Sequence, residues 1–85
     1  MKLVRSQHFL RMYRRLPGEI RKKVDRQLQR LVKDIRHPGL YAKKMSGVED
    51  IWEARIDYHN RLTFQIEGDI IFLRRVGPHD ILKKP

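Results

Sequence analysis

The chain has 85 residues, 20 of them lysine or arginine against 10 aspartate or glutamate, for a formal charge of +10. That length holds one small domain, residues 1–85, with a marginal core. The excess charge points to a polyanionic partner: RNA, DNA, an acidic protein segment or an anionic membrane surface. Cysteine is absent, which excludes disulfides and thiolate metal sites and fits a reducing cytosol. The N-terminus, M-K-L-V-R-S-Q-H, lacks the apolar run of a signal peptide. No apolar stretch nears the roughly 18 residues of a membrane span. A cytoplasmic protein without a membrane segment is expected.

Lys2 to Arg5 predicts a short first strand. Ser6 is placed to cap a helix running to about Leu16, with Phe9, Leu10, Tyr13 and Leu16 on one face. Pro17-Gly18 breaks the chain. A second helix is expected from Gly18 to Arg36, because Ile20, Val24, Leu28, Leu31 and Ile35 follow the helical period and Val32 widens the stripe. Arg21, Lys22, Lys23, Arg26, Arg30, Lys33 and Arg36 make this helix strongly basic. His37-Pro38-Gly39 ends it.

Leu40 to Asp50 reads as a loop carrying Lys43 and Lys44. Three strands follow. Ile51 to Asp57 puts Trp52, Ala54 and Ile56 on one face and Glu53, Arg55 and Asp57 on the other. Tyr58-His59-Asn60 is a hairpin turn. Arg61 to Glu67 turns Leu62, Phe64 and Ile66 inward and Arg61, Thr63 and Gln65 outward. Gly68-Asp69 makes a second turn. Ile70 to Val76 is apolar on both parities, as in a central strand, and ends in Arg74 and Arg75. Alternation puts those two arginines on opposite faces. Gly77-Pro78 is expected to stop the strand before a short basic tail. The expected architecture is α+β: an N-terminal strand and a helical hairpin packed on one face of a mainly antiparallel sheet. The other face is expected to be polar, basic and uncovered, the natural binding surface. Arginines there with a histidine at the rim suit a phosphodiester, since arginine clamps phosphate and histidine exchanges protons near neutral pH.

This order of elements resembles the RelE/ParE superfamily of small toxins from type II toxin–antitoxin pairs. The resemblance spans the whole chain. It is sharpest in M-S-G at 45–47, W-E-A-R-I at 52–56, R-L-T-F at 61–64 and R-V-G-P-H at 75–79, whose R-x-G-x-H ending is similar to that of YafQ-type ribonucleases. It implies a ribosome-dependent mRNA endonuclease that needs no metal or other cofactor. In such enzymes the ribose 2′-OH attacks the adjacent phosphate, leaving a 2′,3′-cyclic phosphate and a 5′-OH. It also implies a cognate antitoxin as partner, beside ribosome and mRNA, and a toxin–antitoxin complex that binds promoter DNA.

In-line attack needs a base, charge stabilisation and an acid. His79 matches the position of the catalytic histidine of R-x-G-x-H members and is the candidate acid. Arg61 and Arg75 match functional basic positions and are candidate phosphate clamps. Arg55 falls where relatives carry a basic residue or histidine and is a further charge stabiliser. Glu53 and His59 are rival bases, because arginine holds its proton too firmly. Lys43 and Lys44 are placed to contact the RNA backbone. Asp80 reads as an ordinary turn residue, His8 and His37 as structural, and Trp52 and Phe64 as core. No pair of histidines has metal-ligand spacing.

The pattern departs from the family in one respect: the tail I-L-K-K-P has no aromatic where several RelE-like nucleases carry one. Tyr41 and Tyr58 are the possible substitutes. A second function on the same scaffold is a ParE-like inhibitor of DNA gyrase, a binding toxin with no need of the cluster ending in His79. A third is an inactive or purely nucleic-acid-binding member.

Overall fold

The computed structural model describes residues 1–85. The elements run β1 (Lys2–Arg5), α1 (Gln7–Arg15), α2 (Gly18–Lys33), a 3-10 turn (Pro38–Leu40), β2 (Lys43–Lys44), β3 (Trp52–Arg55), β4 (Asn60–Glu67), β5 (Ile70–Pro78) and a last 3-10 turn (His79–Lys83). The five strands form one sheet in the order β1-β5-β4-β3-β2. β1 lies parallel to β5, and every other pairing is antiparallel. The crossover from β1 through both helices to the meander explains that one parallel pair.

Both helices cover one face of the sheet. Phe9 of α1 and Val24, Leu28 and Leu31 of α2 meet Ala54, Leu62, Phe64, Ile71, Leu73 and Val76 of the strands in a single buried cluster. The apolar periods read from the sequence therefore meet in one core. Ser6 caps α1 as expected, its Oγ accepting from the Phe9 N–H at 3.0 Å. No helix is long and apolar enough to cross a membrane.

The structure corrects the expected layout in several places. α2 stops at Lys33 rather than Arg36, because Asp34 turns extended and its Oδ1 accepts from the Arg36 N–H at 2.9 Å. That local turn outcompetes the helical ladder although Ile35 keeps the apolar period. Lys43 and Lys44 are not loop. They form β2, paired with Glu53 and Trp52. Gly77-Pro78 does not stop β5, whose pairing continues to Pro78 opposite Asn60.

The largest correction concerns Arg74 and Arg75. The β4–β5 register pairs Phe64 with Leu73 and Thr63 with Arg75, leaving Arg74 as the extra residue of a bulge. Leu73 and Val76 both point into the core, so the two arginines between them share the opposite face rather than dividing between faces. Ser6 Oγ donates to the Arg74 carbonyl at 3.1 Å, tying the start of α1 to the bulge.

That opposite face is also less open than expected. The Pro85 carbonyl accepts from Thr63 Oγ1 at 3.1 Å and from Arg74 Nε at 3.0 Å, and Arg74 Nη1 donates to Gln65 Oε1 at 2.7 Å. The tail thereby covers the middle of the sheet, and Thr63 is fully buried. What stays open is the end of the sheet toward β2 and β3.

Candidate active site

The open end is built from strand register. β3 pairs Arg55 opposite Arg61 of β4, and Glu53 opposite Thr63. β2 pairs Lys43 with Glu53. Alternation then sends Lys43, Glu53, Arg55 and Arg61 to the face away from the helices. With Tyr41, Ala42 and His79 they line a cleft of ≈ 460 Å³. Like charges directly opposite each other across a strand pair repel. Neither Arg55 nor Arg61 is neutralised by a carboxylate: the ion pairs join Lys23 to Asp57 and Lys43 to Glu53. A cleft with two facing, uncompensated guanidinium groups is a seat for an anion.

The hairpin turn after β3 holds one wall. Asp57 Oδ1 accepts from the N–H groups of His59 at 2.9 Å and Asn60 at 2.8 Å, and from Asn60 Nδ2 at 3.0 Å. Burial pushes the Asp57 carboxyl up, but the Asn60 side chain, the two backbone N–H groups and Lys23 outweigh it and hold the group below its ordinary value. Arg61 Nη1 donates to the carbonyls of Asp57, Tyr58 and Asn60 at 2.6, 3.1 and 3.0 Å. Its Nε and Nη2 make no hydrogen bond to the protein and remain for a ligand. The same turn anchors the histidine, since the His79 N–H donates to the His59 carbonyl at 2.9 Å.

The other wall is held differently. Arg55 sits over the Tyr41 ring, its guanidinium carbon 4.3 Å from the ring centre. Its Nε is buried with no hydrogen-bond partner. An unpaired buried donor costs about 1–3 kcal/mol, and a desolvated cation on an aromatic face returns about 2 kcal/mol. Below it, Gln27 Nε2 donates to the Arg55 carbonyl at 2.6 Å and to the Gly39 carbonyl at 2.9 Å, while its Oε1 accepts from Arg30 Nη1 at 3.0 Å. Gln27 thus fixes the backbone under Arg55 from α2.

Among the residues proposed from sequence, Lys43, Glu53, Arg55, Arg61 and His79 come together in this cleft. Three do not. Lys44 shares the face of its partner Trp52 and sits over that ring at 5.9 Å, turned toward the helices. His59 lines a separate apolar groove with Met12, Leu16, Ile20 and Val76. Arg75 shares the cleft's face but lies across Thr63 from Glu53, two strand spacings or roughly 10 Å away. Gln27 escaped the sequence reading. Its signal was a polar residue between Val24 and Leu28 on the apolar stripe of α2. No three His, Asp or Glu side chains gather in a way that could hold a metal ion.

No family model and no curated protein matches the sequence. Solved structures do match. The RelB–RelE antitoxin–toxin complex from Methanococcus jannaschii aligns with a TM-score of 0.78 at 20% identity, covering 95% of this chain and 95% of that one. The intact Escherichia coli RelBE toxin–antitoxin complex aligns at 0.74 and 20% identity, covering 91% and 94%. This chain has the RelE/ParE fold. A YoeB/ParE toxin from Agrobacterium tumefaciens also aligns, at 0.74 and 18% identity over 93% of this chain and 99% of that one. At such identities the likeness concerns the RelE/ParE scaffold, and a scaffold hosts more than one activity.

Proposed function

We propose that this chain is the toxin of a type II toxin–antitoxin pair and cleaves mRNA on the ribosome without a metal. The observation that carries the reading is the facing pair Arg55 and Arg61, neither of them ion-paired to a carboxylate, with Glu53 and His79 in the same cleft. Toxins of this fold solved with RelB antitoxins add support for the partner.

The chemistry follows from the residues. Arg61, held through Nη1, presents Nε and Nη2 to one side of the scissile phosphate, and Arg55 faces it from the other. Together they stabilise the charge that builds on the equatorial oxygens. Glu53, the carboxylate lining the cleft, takes the proton of the 2′-OH as the 2′-oxygen forms its bond to phosphorus. The bond from phosphorus to the 5′-oxygen breaks, and His79 donates a proton to that leaving oxygen. The products are a 2′,3′-cyclic phosphate and a 5′-OH. Lys43, 3.6 Å from Glu53 and mostly exposed, and the basic outer face of α2 contact RNA backbone. Arg75, beyond the tail, contacts the strand outside the cleft. The proposed setting is the cytoplasm, where a cognate antitoxin blocks the cleft and the pair binds promoter DNA.

Mapping mRNA ends in a purified translation reaction, with and without ribosomes, tests the reading. Cuts that need ribosomes are expected. Intact mRNA together with loss of gyrase supercoiling would replace this reading with a gyrase inhibitor.

A further inference from the structure

We propose that Tyr41 is the nucleobase seat of the cleft, stacking an unpaired base of the RNA strand on the ring face that Arg55 leaves free. The inference rests on the RNA-cleaving reading and names what that reading lacks, a group that recognises bases.

Several observations converge on this residue. Tyr41 is the one tyrosine, tryptophan or phenylalanine in the cleft lining. The residue is 62% exposed, an unfavourable place for a large aromatic side chain unless something covers it. One ring face is occupied by the Arg55 guanidinium at 4.3 Å. The backbone there is left-handed, φ 49 and ψ 39, a conformation that bulky residues rarely adopt and that persists only where the surroundings enforce it. They do so on both sides: Leu40 is fully buried before it, and Lys43 is locked to Glu53 in the sheet after it. The ring is therefore carried on a fixed backbone beside the phosphate clamp. The other strongly exposed aromatic, Tyr58, lies outside the cleft and meets His59 edge-on at 5.0 Å.

A ring beside a phosphate site is what a single strand needs, because each base lies next to its own phosphate and every base has a stackable face. An arginine on the far side of the ring adds a cation to the stack. Stacking depends on ring area and not on the phenol hydroxyl, and it favours large bases.

The test uses the full chain in a translation reaction with purified components and a defined mRNA. It compares wild type, Tyr41→Phe and Tyr41→Asn, the last chosen because asparagine accepts left-handed backbone. Thermal melting verifies that all three fold. Tyr41→Phe should cut within about threefold of wild type, at the same bases. Tyr41→Asn should cut on the order of 10- to 100-fold more slowly, and the distribution of bases next to its cuts should flatten. Three results would overturn the seat: unchanged rate and base distribution in Tyr41→Asn, a slower rate with the wild-type base distribution, or loss in Tyr41→Phe equal to that in Tyr41→Asn. The second would make the ring only a prop for Arg55. If wild type cuts nothing, the ribonuclease reading fails and the seat falls with it, a result distinct from a cutting wild type with an indifferent Tyr41→Asn.

Discussion

Arg55 and Arg61 face each other across the same cleft, yet they are held in opposite ways. Arg61 is gripped by three backbone carbonyls of a turn that Asp57 organises. Arg55 rests on one exposed ring, with its Nε buried and unpaired. Backbone carbonyls do not change with side-chain identity, so the turn wall is rigid for as long as the Asp57 carboxylate holds the turn. The loop wall depends on Tyr41 and on Gln27 beneath it. One wall anchors the histidine through the His59 carbonyl and is the proposed holder of the phosphate. The other carries the proposed base seat, a single ring on a fixed backbone.

The strongest break in this comparison is His79→Ala, which removes the proposed acid hung from the turn wall but leaves the turn intact. Cleavage should fall by about 10²- to 10⁴-fold, growth arrest on expression should be relieved, and the melting temperature should hold. Gln27→Leu attacks the loop wall instead. It strands the carbonyls of Arg55 and Gly39, and denaturant titration should show a loss of about 2–4 kcal/mol.

Asp57→Ala undoes the turn wall and should cost about 2 kcal/mol through its lost hydrogen bonds. Because the folded carboxyl is held below its unfolded value, its contribution is full above about pH 4. It fades as pH falls through the lowered folded value. The difference in stability between wild type and Asp57→Ala should therefore narrow in acid. The smallest effect belongs to Lys43→Ala, which removes an exposed ion pair at 3.6 Å. It should move stability by less than about 0.5 kcal/mol, while increasing salt should matter less for RNA binding in the variant.

The two walls also differ in how well the sequence announced them. Alternation over Ile51–Asp57 and Arg61–Glu67 assigned Arg55, Arg61 and Glu53 to the face they share, although the strands themselves are Trp52–Arg55 and Asn60–Glu67. The helical stripe from Ile20 to Ile35 placed the core, of which Val24, Leu28 and Leu31 are buried, and Ser6 announced its cap. What stayed hidden depends on contacts far apart in the chain. Two residues, Lys43 and Lys44, are too few to show a period, so β2 could not be read. The bulge at Arg74 hid in Leu73-Arg74-Arg75-Val76, where two polar residues between two core residues are the trace of an extra residue in the strand. The docking of Pro85 on Thr63 and Arg74 leaves no local mark at all. The stack of Tyr41 on Arg55 joins residues 14 positions apart (55 − 41) through a left-handed turn that composition does not reveal.

Arg55, Arg61 and His79 are proposed to act together in metal-free transesterification. The most direct measurement is the chemistry of the cut ends, from wild type and from His79→Ala, on one mRNA in a purified ribosomal reaction. On that proposal, wild type leaves 2′,3′-cyclic phosphates and 5′-hydroxyls, and His79→Ala loses nearly all of these ends. Ends bearing 5′-phosphates, or equal cleavage by both chains, would contradict it.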